Sequence, residues 1–286
     1  MTIVADKLIK EYKTATALKG IDLQITEPKI YGLLGRNGAG KTTFMQLLAG
    51  YDKPSGGELH VNGMKPFDNR AVTENICLIK EADNFKKDLT VHQVLKFASM
   101  LYSNWDKDLA ADLLDGFDLN KKLRVKSLSK GMESALGIIV GLASKAPVTM
   151  LDEPYIGLDA ASRAYFYEVL LEEFQSDPRI IILSTHLIDE VSNLFEEVII
   201  FDKGSILLHK SADELRAQSF CISGPAAQVK TFTNGKQVIK ETSFAGTSQA
   251  YFLSTEAPAL TGDLAVSGVP LQDMMVHLTE KRGARA

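Results

Sequence analysis

The first third of the chain alternates short apolar runs with turn residues, a pattern typical of short β-strands. The predicted strands cover residues 3–9, 20–25 and 30–34. Helical periodicity follows over residues 41–48 and ends at Gly50. The pattern therefore predicts three strands, the last of which leads through a loop into a helix.

Helical periodicity continues almost throughout residues 91–144, which predicts a helical insert. The apolar residues available for its inner face are Leu95, Phe97, Leu101, Leu109, Leu113 and Leu114. Beyond the insert, predicted strands at 148–151, 180–183 and 198–201 alternate with predicted helices at 161–174 and 187–194. Such alternation indicates a mainly parallel sheet covered by helices.

The composition changes after about residue 215, where Ser, Thr and Gly become more frequent. Strand-like runs occur at 237–239 and 250–253, and a helix is expected over 271–278 after Pro270. One face of that helix carries Leu271, Met274, Met275 and Leu278, and we interpret it as core packing. Residues 216–286 are therefore predicted to form a separate accessory region.

Composition and charge narrow the class of protein. The 286 residues are 45% apolar and 24% charged, which is typical of a folded protein with one large domain and an accessory one. The net charge of −4 argues against nucleic acid as a partner. Cys77 and Cys221 lack the paired spacing of a zinc or redox site, which favours a reducing compartment. No apolar run is long enough to cross a bilayer and no signal peptide is recognisable, so other subunits would have to supply any membrane part.

Residues 35–42, the phosphate loop, match the pattern G-x-x-x-x-G-K-[ST] between a predicted strand and a predicted helix. Glycines allow successive N–H groups to surround phosphates, and the helix N-terminus adds partial positive charge. Lys41 would reach the terminal phosphates, and the Thr42 hydroxyl would bind Mg²⁺. The alternative is a chance turn, which the strand and helix on either side disfavour.

The predicted strand at 148–151 leads into two acidic residues, Asp152 and Glu153. A sheet of this type delivers acidic groups to its ligand at such a strand end. Asp152 would hold Mg²⁺, directly or through water, and Glu153 would orient and polarise the water that attacks the γ-phosphate. A solvated pair of acids at a strand end is the alternative interpretation.

Taken together, the motifs over residues 1 to about 215 resemble those of the ATP-binding cassette (ABC) ATPases, in the same order. The usual signature L-S-G-G-Q is similar to residues 128–132, here Leu-Ser-Lys-Gly-Met, and the D-loop is similar to residues 157–160. His186 stands at the family's switch histidine, and Tyr12 stands where the family stacks an aromatic ring on adenine. Taken singly, such a histidine or tyrosine is more often structural.

The resemblance implies a head-to-tail dimer in which ATP lies between the phosphate loop of one chain and the signature segment (128–132) of the other. Ser129 and the Gly131 N–H would then donate to the γ-phosphate in trans, His186 would steady the attacking water, and Asp159 would belong to the D-loop. The residues implied to bind ATP are Tyr12, Gly35, Asn37, Gly38, Ala39, Gly40, Lys41, Thr42 and Thr43.

Two departures from the family pattern stand out. Lys130 and Met132 replace the usual Gly and Gln of the signature, while Ser129 and Gly131 are retained. The position of the usual Q-loop Gln falls near Glu81, which either contacts Mg²⁺ or its water, or is a plain solvated acid.

The expected fold is an α/β P-loop NTPase core with an antiparallel β subdomain, a helical subdomain over about 82–145 and a small C-terminal α+β accessory region. The resemblance further implies a Mg²⁺-dependent ATPase at the cytoplasmic face of the membrane, which acts with separate permease subunits. The transporter would be an exporter of peptides, antibiotics or other amphipathic compounds. An importer ATPase and a soluble, non-transport ABC protein are the alternatives. Phe85, Leu89 and Val91 either form a docking groove for a permease helix or fill the insert's own core.

Overall fold

The computed structural model describes residues 1–186, 188–255 and 262–280, and of Asp189 the backbone alone. The strands are β1 (Ile3–Tyr12), β2 (Ala15–Ile25), β3 (Ile30–Leu34), β4 (Gly56–Val61), β5 (Ile76–Ile79), β6 (Val148–Asp152), β7 (Ile180–Thr185), β8 (Glu197–Asp202), β9 (Ser205–Ser211), β10 (Ser219–Pro225), β11 (Lys240–Phe244), β12 (Thr247–Leu253) and β13 (Ala265–Gly268). The helices are α1 (Lys41–Leu48), α2 (Arg70–Thr73), α3 (Val91–Leu101), α4 (Lys107–Gly116), α5 (Lys130–Ala143), α6 (Ala160–Ser176), α7 (Ile188–Val191), α8 (Ala212–Gln218), α9 (Ala226–Thr233) and α10 (Leu271–Thr279).

A six-stranded sheet of order β5-β6-β7-β3-β8-β9 forms the centre of the fold. Its neighbours pair in parallel except for the antiparallel pair β8–β9. Strands β3, β6 and β7 are buried along their whole length, as expected of parallel strands covered on both faces. The predicted α/β core is confirmed.

Side chains alternate along β3 and so contribute to a separate apolar cluster on each face of the central sheet. Ile30 and Leu34 belong to a cluster that also contains the apolar faces of α3, α5 and α6. Tyr31 and Leu33 belong to a second cluster, which α1 shares with β1, β2 and β4. Those three strands form the predicted antiparallel sheet, in the order β2-β1-β4.

The region predicted to be helical contains α3, α4 and α5, but its inner face differs from the prediction. Phe97 and Leu101 are 56% and 66% exposed, whereas Val91, Val94 and Ala98 are buried. The buried positions follow the i, i+3, i+7 spacing of one helix face, and Phe97 lies off that stripe. Leu101 continues the stripe but is the last residue of α3, where it is exposed. The prediction that Phe97 and Leu101 face inward was therefore wrong, while that for Leu113 was right.

A third sheet lies within the C-terminal part of the chain, in the order β11-β12-β10-β13, with all pairs antiparallel. The predicted strand at 237–239 was wrong, because β11 begins at Lys240. Ile239 still donates its N–H to the Tyr251 carbonyl at 2.8 Å, so the pairing extends one residue beyond the strand. Helix α9 packs on β10 and β12.

Helix α10 connects this C-terminal part to the central core. Leu271 and Met275 belong to the same apolar cluster as Ile188 and Val191 of α7, and Met274 packs with Cys221 of β10. The core-packing interpretation of the methionine face is confirmed. The predicted helix at 187–194 is α7 followed by a 3-10 turn at Ser192–Leu194, and Leu187 lies outside the described residues. Within the described ranges, no helix combines the length and the apolar character needed to cross a bilayer.

Candidate functional site

The phosphate loop connects β3 to α1, as the sequence predicts. Gly40 is the N-cap of α1, and its φ of 113° is one that residues with a Cβ rarely adopt. A Cβ there would also lie 2.9 Å from the Ala17 carbonyl oxygen. No side chain caps this helix, so its first N–H groups are available to an anion.

Lys41 is buried beneath the loop, and its Nζ donates to the Gly35 carbonyl at 2.7 Å. Burial lowers the pKa of Lys41, and the nearby carboxylates of Glu153 and Asp152 oppose that effect. The phosphate loop thus places the Lys41 ammonium group near Asp152 and Glu153, which lie at the end of a different strand. Gly35, also predicted to bind ATP, accepts this hydrogen bond and is not among the residues that line the cleft described below.

Asp152, at the end of β6, is tied to two hydroxyls. Thr42 Oγ1 donates to its Oδ2 at 2.6 Å, and Ser184 at the end of β7 donates to its Oδ1. A hydroxyl beside a buried carboxylate is a set of oxygen donors that suits Mg²⁺. Sequence reasoning gave Ser184 no role, although its position at a neighbouring strand end was visible.

Glu153 is buried and has a φ of +51°, an uncommon conformation for a residue with a side chain. Its Oε2 lies 2.7 Å from His186 Nδ1 and 2.5 Å from the Tyr155 hydroxyl. Because an ionised carboxylate only accepts hydrogen bonds, the proton of this histidine contact sits on Nδ1. The structure therefore brings Glu153 and His186 together, and it adds Tyr155, to which sequence reasoning gave no role.

An open cleft of about 580 Å³ collects most of the predicted binding residues. We call it the phosphate-loop cleft, and its lining residues are Tyr12, Ala15, Thr16, Ala17, Asn37, Gly38, Ala39, Gly40, Lys41, Thr42, Thr43, Glu81, Asp152 and Glu153. Tyr12 is largely exposed, and Lys10 Nζ lies 5.1 Å from its ring centroid. A flat, accessible aromatic ring at the cleft's edge suits stacking with a planar base.

The signature segment does not line the phosphate-loop cleft. Ser129 is the N-cap of α5, where its Oγ accepts the Met132 N–H at 3.2 Å. A Cβ at Gly131 would lie 2.4 Å from the Gly157 carbonyl oxygen, so only glycine permits this close approach to the loop before Asp159. Ser129 and Gly131 therefore stand at a second helix N-terminus, packed against the predicted D-loop.

Asp159 has a structural role in the chain, since it is the N-cap of α6. Its Oδ1 accepts the Ser162 N–H at 2.7 Å, and this bond lowers the pKa of the Asp159 carboxyl. Arg163 donates to the Leu158 carbonyl at 2.9 Å and so holds the same loop. Like the signature segment, Asp159 does not line the phosphate-loop cleft.

The two departures from the family pattern meet in space. Lys130 Nζ lies 3.1 Å from Glu81 Oε1, and the two side chains are 53% and 52% exposed. Glu81 also lines the phosphate-loop cleft, so it stands between that cleft and the signature segment. Spacing along the chain gave no sign of this pair, because its members are 49 positions apart.

A second, apolar groove of about 600 Å³ lies between the central sheet and the helical region. Phe85 and Leu89 line it, as the docking interpretation expects, together with the exposed side chains of Phe97 and Leu101. Val91 is instead fully buried in the core, so for this residue the core interpretation is correct. The reason is its position as the first residue of the inner stripe of α3.

A phosphate loop after β3 and an acidic pair at the end of β6, on one mainly parallel sheet, define a P-loop nucleotide hydrolase. A family model described as ABC transporter matches residues 18–156. The daunorubicin resistance ATP-binding protein DrrA3 of Streptomyces coeruleorubidus is 30% identical over 223 residues, which cover 76% of this chain and 70% of that protein. The chain belongs to the ABC transporter ATP-binding protein family.

Two further comparisons agree with this family. The bacitracin transport ATP-binding protein BcrA of Enterococcus faecalis is 26% identical over 275 residues, which cover 93% of this chain and 89% of that protein. The dimeric structure of MJ0796, a bacterial ABC transporter cassette, has the same fold, with a TM-score of 0.64 and 22% identity over 73% of this chain and 98% of that one. The chain is thus an ATPase subunit of an ABC transporter.

Proposed function

We propose that this chain is the ATP-hydrolysing motor of an exporter of peptides, antibiotics or other amphipathic compounds. The observation that carries the motor function is the joint placement of Glu153, His186 and Asp152 at the phosphate loop. The direction of transport and the kind of cargo are supported by the names of two relatives, one of daunorubicin resistance and one of bacitracin transport. An importer motor is the alternative, and transport measurements separate the two.

ATP would bind in the phosphate-loop cleft with its base against Tyr12 and its phosphates along the N–H groups of residues 37–43. Lys41 exchanges its bond to the Gly35 carbonyl for the terminal phosphates, which are the stronger partner. Thr42 and Asp152 are the residues that would hold Mg²⁺, which neutralises charge on the β- and γ-phosphates when bound. Glu81, also on the cleft wall, is proposed to contact Mg²⁺ or its water.

Glu153 would take the proton of the attacking water and orient its oxygen towards the γ-phosphate. His186 contacts Glu153 through Nδ1, which leaves Nε2 to accept from the water or, when the ring is charged, to donate to the phosphate. The two residues thus act on one water from one end of the cleft. The products are ADP and inorganic phosphate.

We also propose that two ATPase domains form a head-to-tail dimer, each with half of two ATP sites. Ser129 supports this arrangement because its Oγ accepts from Met132 N–H and so retains its own hydrogen for a phosphate oxygen. The Gly131 N–H lies in the first turn of α5, where the helix dipole favours an anion. Asp159, at the start of α6, would lie in the same interface.

The apolar groove is proposed to receive a short cytoplasmic helix from a separate permease subunit, which would place the chain at the cytoplasmic face of the cell membrane. Helices that dock in this way insert apolar anchors into a groove. Phe85 and Leu89 line the groove, and Phe97 and Leu101 expose large apolar surfaces beside them. The groove's position next to Glu81 would relate permease movements to the phosphate-loop cleft.

We further propose a division into an ATPase domain at residues 1–215, with its helical subdomain at about 82–145, and an accessory region at 216–286. The β10–β13 sheet supports this division, because its strands pair only with one another among the described residues. Helix α10 is the exception to a clean separation, since it packs into the apolar cluster of the ATPase domain.

The variant Glu153→Gln tests the motor function. It should keep ATP affinity while turnover falls by about 10²-fold or more, because a positioned base is lost and the shape of the site is kept. ATP titration and phosphate release measure the two quantities. Glu197→Gln is the control, because Glu197 does not line the phosphate-loop cleft. It is the first residue of β8 and pairs with Lys29 at 3.0 Å. Normal turnover in Glu153→Gln would show that another group activates the water.

A further inference from the structure

A buried tyrosine lies behind the two residues that are proposed to act on the attacking water. Tyr155 follows Glu153 and Pro154 after the end of β6 and is only 1% exposed. Its ring belongs to the larger apolar cluster of the core. Packing explains the ring but not its hydroxyl, which is aimed at the acidic end of the site.

When Glu153 is ionised, the hydrogen bonds of that hydroxyl have only one consistent assignment. Its oxygen lies 2.5 Å from Glu153 Oε2, receives the His186 N–H at 3.2 Å and contacts the Thr185 hydroxyl. An ionised carboxylate only accepts and a backbone N–H only donates. Tyr155 therefore donates to Glu153 and accepts from Thr185 and His186, which uses its single hydrogen and both lone pairs.

This arrangement holds two parts of the site at a single atom. Glu153 has a left-handed backbone, and such conformations persist where the surroundings fix them. The phenol oxygen fixes both the Glu153 carboxylate and the His186 backbone. Burial and the charge of Glu153 raise the pKa of Tyr155 well above its ordinary range, so the phenol keeps its proton.

We infer that Tyr155 is a positioning residue for ATP hydrolysis, whose hydroxyl fixes the Glu153 carboxylate relative to His186 so that both meet the attacking water together. The inference rests on the proposed role of Glu153. Tyr155 does not line the phosphate-loop cleft, so it acts through Glu153 and His186 and not on ATP itself.

The first test is Tyr155→Phe, which keeps the ring and removes the hydroxyl. We expect kcat to fall at least about tenfold, the usual effect of losing a hydrogen bond to a charged group. KM for ATP and ATP affinity should change less than about twofold, because the cleft wall is untouched. In a Glu153→Gln background, Tyr155→Phe should lower the residual turnover less than about twofold, since the two changes disable one unit.

Tyr31→Phe is the matched control, since Tyr31 is another buried tyrosine whose hydroxyl donates to a carbonyl, that of Glu27, at 3.0 Å. Its kcat should equal that of the wild type. A Tyr155→Phe protein with normal kcat, or with a loss that multiplies fully with that of Glu153→Gln, overturns the inference.

A second pair of variants applies if Tyr155→Phe does not fold. Thr185→Val removes a hydroxyl that donates to the phenol, and Thr185→Ser keeps one. We expect kcat to fall in Thr185→Val and to recover in Thr185→Ser, and equal turnover in both would contradict the inference. Its failure is distinguishable from that of the proposed function. Normal turnover in Glu153→Gln rejects the role of Glu153, whereas an inactive Glu153→Gln beside a fully active Tyr155→Phe rejects only the role of Tyr155.

Discussion

Two helices of this chain begin at a candidate phosphate site, and their N-termini are built differently. The N-cap of helix α1 is Gly40, which has no side chain to cap the helix. The first residue of the helix, Lys41, is buried against the phosphate loop. The N-cap of helix α5 is Ser129, whose side chain caps the helix. The first residue of the helix, Lys130, is half-exposed. Both provide the partial positive charge of a helix terminus.

The difference lies in what surrounds each terminus. Around α1, the chain itself supplies a cation, hydroxyl groups and three carboxylates in one cleft. The signature segment lies outside that cleft, and its nearest named partners are the Gly157 carbonyl and Glu81. The first terminus is a nearly complete site, while the second completes a site only if another chain brings the phosphates to it. The proposed dimer follows from this contrast.

Mixing two defective chains tests the contrast most strongly. Lys41→Ala disables the phosphate loop and Ser129→Arg disables the signature segment, so each chain alone should be nearly inactive. Their mixture should regain on the order of a quarter of wild-type turnover, because about half of the dimers are mixed and each mixed dimer holds one intact site of two. Phosphate release from equimolar mixtures measures this recovery.

The control for the mixture is a chain that carries Lys41→Ala and Ser129→Arg together. Mixed with Lys41→Ala, it forms no intact site and should restore nothing. The Ser129→Arg chain must also be folded, since loss of an N-cap costs about 1 kcal/mol of stability. Inactive mixtures of folded, dimeric chains would mean that each site is built within one chain.

The next largest effect is expected from a substitution in the apolar groove. A charge at a docking anchor should lower permease-stimulated ATPase activity at least about tenfold while leaving the isolated chain folded. Phe97→Glu makes this change at an exposed position that lines the groove. ATPase assays with and without the permease, together with thermal unfolding, measure both effects.

Met100→Glu is the matched control, because Met100 lies on the same helix at 70% exposure but does not line the groove. It should keep the permease response. If Phe97→Glu keeps the permease response as Met100→Glu does, the permease docks on another surface. Loss of folding in Phe97→Glu alone would assign Phe97 to the core of the helical region.

The smallest expected effect concerns Glu81, which lies between the two helix N-termini. An exposed ion pair such as Glu81–Lys130 contributes only about 0–1 kcal/mol to stability. If Glu81 also contacts Mg²⁺ or its water, Glu81→Ala should raise the Mg²⁺ concentration for half-maximal ATPase activity several-fold, and Glu81→Gln less. Lys130→Ala removes the same ion pair and should not raise it. Identical Mg²⁺ dependence in all the variants would leave Glu81 as the surface partner of Lys130 alone.

The sequence predicts those parts of the site that follow from local order along the chain. The phosphate loop and the Asp152–Glu153 pair each lie within one strand-to-loop segment, so pattern and chemistry were readable together. Tyr155 was different, because a buried apolar ring and a hydroxyl aimed at Glu153 have the same sequence appearance. The Glu81–Lys130 pair depends on how the helical region packs, which local pattern does not specify.

The fold shows the same division. The apolar runs of β3, β6, β7 and β8 were readable as strands, whereas the equally buried β5 was missed. Strand β11 was placed too early, and most of its residues are exposed. Phe97 and Leu101 were assigned to the core because they are apolar, yet both are exposed and line the groove. An exposed apolar residue and a core residue are alike in sequence, and only packing separates them.

The packing of α10 has a consequence for the order of events during synthesis. Leu271 and Met275 belong to the same cluster as Ile188 and Val191, which lie two and five positions after His186 in the chain. A ribosome adds residues from the N-terminus, so the phosphate loop emerges more than 200 residues before the helix that completes this cluster. The nascent ATPase core therefore exposes an incomplete apolar surface beside His186 until α10 leaves the exit tunnel. A chain whose translation stalls in the β10–β13 sheet would carry the phosphate loop but not the packing of α10 with Ile188 and Val191.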